Sequence, residues 1–330
     1  NVAPRFGFAY NLTTSTVLRG GYGVFFAQMN GGGFNTNVAP AAGFNCQTQV
    51  VGSVDGGLTP SVTLSDPFPT GFCRATGSSR GLLSSLGEAV DYIDRGNRNS
   101  YAQQWSFDIQ RRLPQDVVME LAYSGNRGVK LQGHLLYNQL PLEAMALKDD
   151  LLKTVPNPFY GIINTWSMAA PRVTQNRLLR PYPQYEVLTS RAAGYGSSIY
   201  HALQLSVRKR LAGGFSFSLA YTWSKLIDDC EPTTTGFAGE DFASGALQNY
   251  LDRRQERALA TFDTPHNLTL SYLWELPFGK GRRFRTGAGI LDGLLGGWQF
   301  NGITMLQSGA PLMITGGNAS QAFAGTQRPY

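Results

Sequence analysis

Between Tyr200 and Ser224 the chain alternates with a period of two. Phe215, Phe217, Leu219, Tyr221 and Trp223 are large and apolar, and Ser216, Ser218, Ala220, Thr222 and Ser224 between them are small or polar. Before them Leu203, Leu205 and Val207 share one side, and Gln204, Ser206 and Arg208 share the other. A helix cannot use such a pattern, so this stretch is predicted to be two strands joined by a turn at Lys209, Arg210, Gly213 and Gly214. The same signature recurs three times. Phe6, Phe8, Tyr10 and Leu12 are followed, after a turn at 13–15, by Leu18, Gly20, Tyr22, Val24 and Phe26. Trp105, Phe107 and Ile109 are followed, after a turn holding Pro114, by Val117, Met119, Leu121 and Tyr123. Leu268, Leu270, Tyr272 and Trp274 are followed by a strand from Trp298 to Ser308, where the alternation slips around Gly302 and a bulge is expected.

One hairpin with an apolar and a wet side fits a soluble sandwich as well as a membrane barrel. The layout discriminates between them. Four hairpins have fairly short connections at one end, and three long ones, 27–100, 125–198 and 225–265, join them at the other. Outer-membrane barrels segregate connections by length in this way, whereas sandwiches have no reason to. Aromatics also collect near strand ends, with Tyr22, Tyr101, Tyr123, Tyr221 and Trp223 toward the long loops and Tyr272, Trp274 and Trp298 toward the turns. Two interfacial girdles are expected to look like this. Arg19, Asp108, Glu120 and Arg208 fall on the wet side, as the wall of a polar lumen requires. Leu147, Leu151 and Leu152 suggest a short helix in the second long loop.

The 39 Gly and 15 Tyr beside 15% charged residues suit a β protein with many turns. There is no apolar run long enough for a membrane helix, and a β-barrel would produce none. Asn1 opens on a strand-like run and Gln327 to Tyr330 reads as the middle of a loop, so both ends are read as truncations. The net charge of +6 comes from Lys and Arg spread over turns and loops, with no striped basic face, and no nucleic-acid partner is expected. Cys46 and Cys73 share one Gly-rich loop. A disulfide between them suits a loop outside the cell, two free thiols suit the sequence equally, and Cys230 is left over.

The runs PRFGFAYNLTTSTVLRGGYGVFF, YHALQLSVRKRLAGGFSFSLAYTWSKLIDD, DTPHNLTLSYLWELPFGKGRRF and GGWQFNGITMLQSGAPL resemble the barrel of TonB-dependent outer-membrane receptors, above all the Oar-like receptors of soil acidobacteria. In the loops the resemblance rests on the phrase VPNPFYG, Val155 to Gly161. It implies a barrel of about 22 strands around a plug, set in outer-membrane lipid and energised through TonB. Residues 1–330 would then be a partial barrel of about eight strands, all-β and antiparallel, with the plug, the TonB-contacting segment and the closing strands outside it.

Gly77, Ser79 and Gly81 match a nucleophile-elbow pattern but lack the buried strand before and the helix after that such chemistry needs. His134, His201 and His266 have no metal-ligand spacing, and Asp228, Asp229 and Glu231 read as a solvated acidic loop better than as a calcium site. The chain is therefore read as no enzyme, with no catalytic residue, metal or cofactor. Two function classes remain: uptake of an extracellular solute, which the resemblance implies to be an oligosaccharide or peptide, or a passive porin or surface adhesion barrel. For uptake, Phe159, Tyr160, Trp166 and Tyr195 are the candidate loop aromatics that could stack on the solute.

Overall fold

The structure, a computed structural model, describes residues 2–27, 43–44, 46, 48–92, 94, 96–229, 247, 249–279, 284, 290–312 and 314. In chain order its strands are β1 (Arg5–Thr13), β2 (Thr16–Phe26), β3 (Ala89–Tyr92), β4 (Tyr101–Leu113), β5 (Val117–Leu136), β6 (Thr154–Pro156), β7 (Arg172–Thr174), β8 (Val187–Ala212), β9 (Phe215–Asp228), β10 (Ala258–Leu259), β11 (His266–Glu275) and β12 (Gln299–Gln307). Eight of them form an antiparallel meander, β1-β2-β4-β5-β8-β9-β11-β12, in which every neighbour in space is the next long strand in sequence. The sheet stays open, with β1 and β12 as its edges. The short strand β10 pairs with β9, β3 joins β8 in parallel, and β6 and β7 form a separate two-stranded sheet.

The register carries the period-two pattern across the whole sheet. One transverse row reads Tyr10, Leu18, Ile109, Leu121, Leu205, Tyr221, Leu268 and Leu306. The next row along the strands reads Ala9, Arg19, Asp108, Ala122, Gln204, Thr222, Asn267 and Gln307. Successive residues point to opposite faces, so one face is apolar and the other polar. Arg19 pairs with Asp108 at 3.8 Å and donates to Gln110 at 2.8 Å on the polar face, which also holds Glu120 and Arg208. A trough of about 950 Å³ runs along this face, lined by Glu120, Arg208, Ser218 and Ser271 among others. The turn between β8 and β9 places Gly213 and Gly214 at φ of 63° and 80°, a left-handed conformation that glycine adopts without strain.

Most of the large buried side chains lie outside the sheet. Leu140, Leu151, Ile163, Met168, Val173 and Tyr185, all in the second long connection, are nearly inaccessible. On the apolar face of the sheet Phe107, Ile109, Leu121, Leu203 and Trp223 remain exposed. No second sheet covers them among the described residues, which removes the sandwich alternative. Among the described residues no helix is long and apolar enough to cross a membrane, which says nothing about strands.

Several expectations need correction. The second irregular stretch is shorter than 125–198, because β5 continues to Leu136 and β8 begins at Val187. Register shifts between Val129 and Leu131 and again between Gly133 and Leu135 break the alternation there, so the sequence pattern fades while backbone pairing persists. The helix around Leu147 is instead a pair of 3-10 turns over Leu142–Leu152, interrupted at Lys148, where φ is 47° and ψ is −122°. No bulge occurs at Gly302, since the β11–β12 register is continuous. The ring of Tyr272 lies where a Gly302 side chain would be, so any larger residue there would have to displace it. Tyr272 and Trp274 do lie at the turn end beside Phe217 and Phe215, and Tyr22, Tyr123 and Trp223 at the loop end, but Tyr221 belongs to a leucine row nearer mid-strand. Asp228 is buried and Asp229 accepts from the Ser197 backbone N–H and hydroxyl (2.7 Å for the latter), so this pair closes a strand end and is not a solvated loop. Cys230, Glu231, Glu240 and Asp241 lie outside the described residues, as do Gln327 to Tyr330.

Candidate functional site

Antiparallel alternation puts all three long connections at one end of the meander, and they fold against one another there. Each is held by buried side chains that satisfy backbone groups of another segment, as groups removed from water must be. In the second connection Asn157 donates to the carbonyls of Met168 and Ala170, both at 2.8 Å, and accepts from the Phe159 N–H at 2.9 Å. Asn138 donates to the Tyr182 and Tyr185 carbonyls at 2.8 and 3.1 Å, and accepts from the Tyr182 N–H at 3.0 Å. The Arg177 guanidinium is buried, pairs with the Glu186 carboxylate at 2.9 Å and donates to the Tyr185 and Glu186 carbonyls. Burial pulls its pKa down while Glu186 opposes the shift; Arg180 is lowered as well, by burial and then by the charge of Arg177.

The first connection docks through β3, which pairs with residues 187–190 of β8, and through Leu82, whose carbonyl accepts from the Tyr185 hydroxyl at 2.7 Å. The third docks through Tyr250 and Asn249. The Tyr250 hydroxyl donates to the Tyr137 carbonyl at 2.7 Å, Gln139 donates to Asn249 at 2.8 Å, and Glu256 accepts from the Asn249 N–H at 2.9 Å. Tyr92, Tyr137 and Tyr250, one from each connection, pack in a row as tilted ring pairs with centroids 5.8 and 5.7 Å apart. Burial pushes the phenols of Tyr92 and Tyr250 up, and Tyr137 beside them adds to the shift. None of these clasping residues carries a sequence motif, and the only legible hint was the phrase around Asn157.

Within this cap the four candidate aromatics have separate surroundings. Phe159 is half-buried against the cluster of Ile163, Met168 and Val173. Tyr160 and Trp166 project from the same segment, 59% and 75% exposed, with exposed Ile162 between them in sequence. Trp166 has φ of 50°, unusual for a bulky residue and a conformation that the surrounding cap must hold in place. Tyr195 sits apart from that segment in sequence, on β8, with its ring beneath the Arg253 guanidinium at 5.6 Å and its backbone carbonyl accepting from Arg253 at 2.6 Å. Cys46 and Cys73 are joined as a disulfide, with Cα atoms 5.8 Å apart. The Gly77–Ser79–Gly81 stretch is a turn in which the Ser79 hydroxyl donates to the Thr76 carbonyl at 2.6 Å. Among the described residues no group of three or more His, Cys, Asp or Glu is placed to hold a metal.

A single meander that is apolar on one side, polar on the other, short-turned at one end and capped at the other defines a section of transmembrane barrel wall. The chain belongs to the outer membrane beta barrel domain family, whose model matches residues 1–330. Its apolar face therefore meets outer-membrane lipid, and its place is the bacterial outer membrane. Solved structures similar to it include the outer membrane transporter YddB from Escherichia coli, at 9% identity and a TM-score of 0.40, over 83% of this chain and 26% of that one. Another is the FrpB iron transporter from Neisseria meningitidis, F3-3 variant, at 8% identity and a TM-score of 0.36, over 84% and 24%. The chain thus spans about a quarter of the length of these transporters. No curated protein matches the sequence.

Proposed function

We propose that this chain is the wall and loop cap of an outer-membrane receptor of the TonB-dependent, Oar-like kind. It captures an oligosaccharide or peptide outside the cell, and the complete receptor imports it with energy relayed through TonB by segments outside residues 1–330. The observation that carries this reading is the cap: three connections are fastened together over one end through Tyr185 on Leu82, Gln139 on Asn249 and Tyr250 on Tyr137, which builds a surface fit to recognise a solute. A free pore needs no such construction. On that surface Tyr160 and Trp166 offer exposed rings for stacking on a sugar ring or a peptide side chain, with Phe159 anchoring their segment from below and Tyr195 fixed by Arg253.

The test is solute uptake by cells producing the complete receptor, supplied with labelled oligosaccharides and peptides, with TonB present or deleted. Import is expected to require both TonB and the receptor, and Trp166→Ala to weaken capture. A passive porin would pass the solute equally well without TonB, and an adhesion barrel would pass none; either result overturns the proposal.

A further inference from the structure

The lipid-facing side of the sheet carries a feature that the uptake reading does not use. Near the loop end, four basic side chains occupy outward positions on four neighbouring strands: Arg127 on β5, His201 on β8, Lys225 on β9 and His266 on β11. Lys225 is directly opposite His201, Arg127 is opposite Ile199 two residues away, and His266 is opposite Trp223 two residues before Lys225. With strands about 4.8 Å apart, the four side chains fall within roughly 15 Å across the sheet. All four are exposed. On the meander strands, up to residue 127 of β5 and from residue 199 of β8, no outward position holds a carboxylate; Asp108, Glu120, Asp228 and Glu275 all face the polar side.

The two histidines are mounted identically. The Tyr123 hydroxyl is 2.8 Å from His201 Nδ1 with the rings stacked at 6.1 Å, and the Tyr221 hydroxyl is 2.8 Å from His266 Nδ1 with the rings stacked at 6.2 Å. In each case the tyrosine pairs with a leucine two residues beyond the histidine, so one diagonal clamp is built twice. For His201 the hydrogen-bond chain runs one step further. Trp105 Nε1, which can only donate, bonds the Tyr123 oxygen at 3.4 Å.

We propose that this patch binds the phosphate groups of anionic lipid in the outer leaflet of the membrane. Two cations, Arg127 and Lys225, and the two histidines beside them, with no carboxylate at an outward position of these strands, lie among Trp105, Tyr123 and Trp223 at the loop-end rim of a lipid-facing surface and match a headgroup phosphate whose acyl chains continue down the leucine rows. The acyl chains make a lipid the occupant, since the phosphate site and the apolar rows form one continuous face. The inference depends on the barrel's place in the outer membrane and is independent of what the barrel imports.

The experiment uses the complete receptor purified from outer membranes in mild detergent. Native mass spectrometry measures binding of lipid A carrying both phosphates against dephosphorylated lipid A. The wild type is expected to prefer the phosphorylated form, and Arg127→Gln and Lys225→Gln each to lower that preference about fivefold, the worth of one basic residue near an anionic surface. Arg111→Gln, at an outward cation of the turn end, should leave it unchanged. Heat-modifiable electrophoretic mobility confirms that each variant is folded. A wild type indifferent to phosphate, a folded Arg127→Gln/Lys225→Gln variant that keeps the full preference, or an equal loss in the turn-end control would overturn the proposal.

Discussion

Replacing Leu219 with arginine puts a cation on the lipid-facing side of β9, midway between the aromatics Phe215 and Trp223, four residues from each. Its transverse neighbours on that face are Val207 and Leu270, so no carboxylate is beside it. Arginine facing lipid near the midplane costs roughly 2 to 4 kcal/mol. At 1.4 kcal/mol per factor of ten, this is a loss of roughly 30- to 700-fold in the folding equilibrium. The comparison is Ala220→Arg, one residue along and on the polar face, with Ser206 and Thr269 opposite and Glu120 in the same row to pair it. Ser218 is a poorer control, because Arg208 lies directly opposite and would repel the new charge. Ala220→Arg is expected to change stability by no more than about 0.5 kcal/mol. The assay is equilibrium folding of the complete receptor into lipid vesicles across a urea series, read by electrophoretic mobility and protease resistance. If the two variants were equally stable, or Ala220→Arg were the weaker, the assignment of faces would fail.

Asn157→Leu keeps the side-chain volume while leaving the Met168 and Ala170 carbonyls without their donor, at a cost of about 1 to 3 kcal/mol to the local cap structure. Hydrogen exchange should rise across 154–174 and stay unchanged in β9 and β11; uniform protection would show that Asn157 is not a fastener. Cys46 and Cys73 are expected to resist alkylation on intact cells until a reductant is added, since a joined pair in an oxidising compartment has no free thiol. Labelling of Cys46 or Cys73 without reductant, located by peptide mapping, would contradict the bridge.

The eight long strands were legible because each separates two media, and lipid on one side with water on the other imposes the period-two pattern that Phe215 to Ser224 displays. Legibility failed where one medium was replaced by protein. Beyond Val129 the register of strand β5 shifts, and apolar and polar residues no longer alternate. At Gly302 the missing side chain is replaced by the ring of Tyr272 from the next strand, so the slip in pattern marked a packing contact and not a change of register. The cap itself rests on single buried polar groups, Asn138, Asn157 and Arg177, serving carbonyls 47, 11 and 8 positions away, and such pairings have no periodicity to read. Of the four aromatics chosen from sequence, Tyr160 and Trp166 stand exposed while Phe159 and Tyr195 are engaged in packing. The paired clamps of Tyr123 with His201 and Tyr221 with His266 join residues 78 and 45 positions apart, a relation visible only once the register is known.

Because the apolar interior belongs to the cap while the sheet turns its leucines to lipid, the two parts respond differently to temperature. Exposing Leu140, Leu151, Ile163, Met168 and Val173 to water raises the heat capacity, so the stability of the cap follows a curved profile and weakens on cooling as well as on heating. Leucines of the wall that stay in hydrocarbon whether or not the strands are paired contribute little to such a term. Cold should therefore loosen the surface facing the outside while the wall beneath it remains intact.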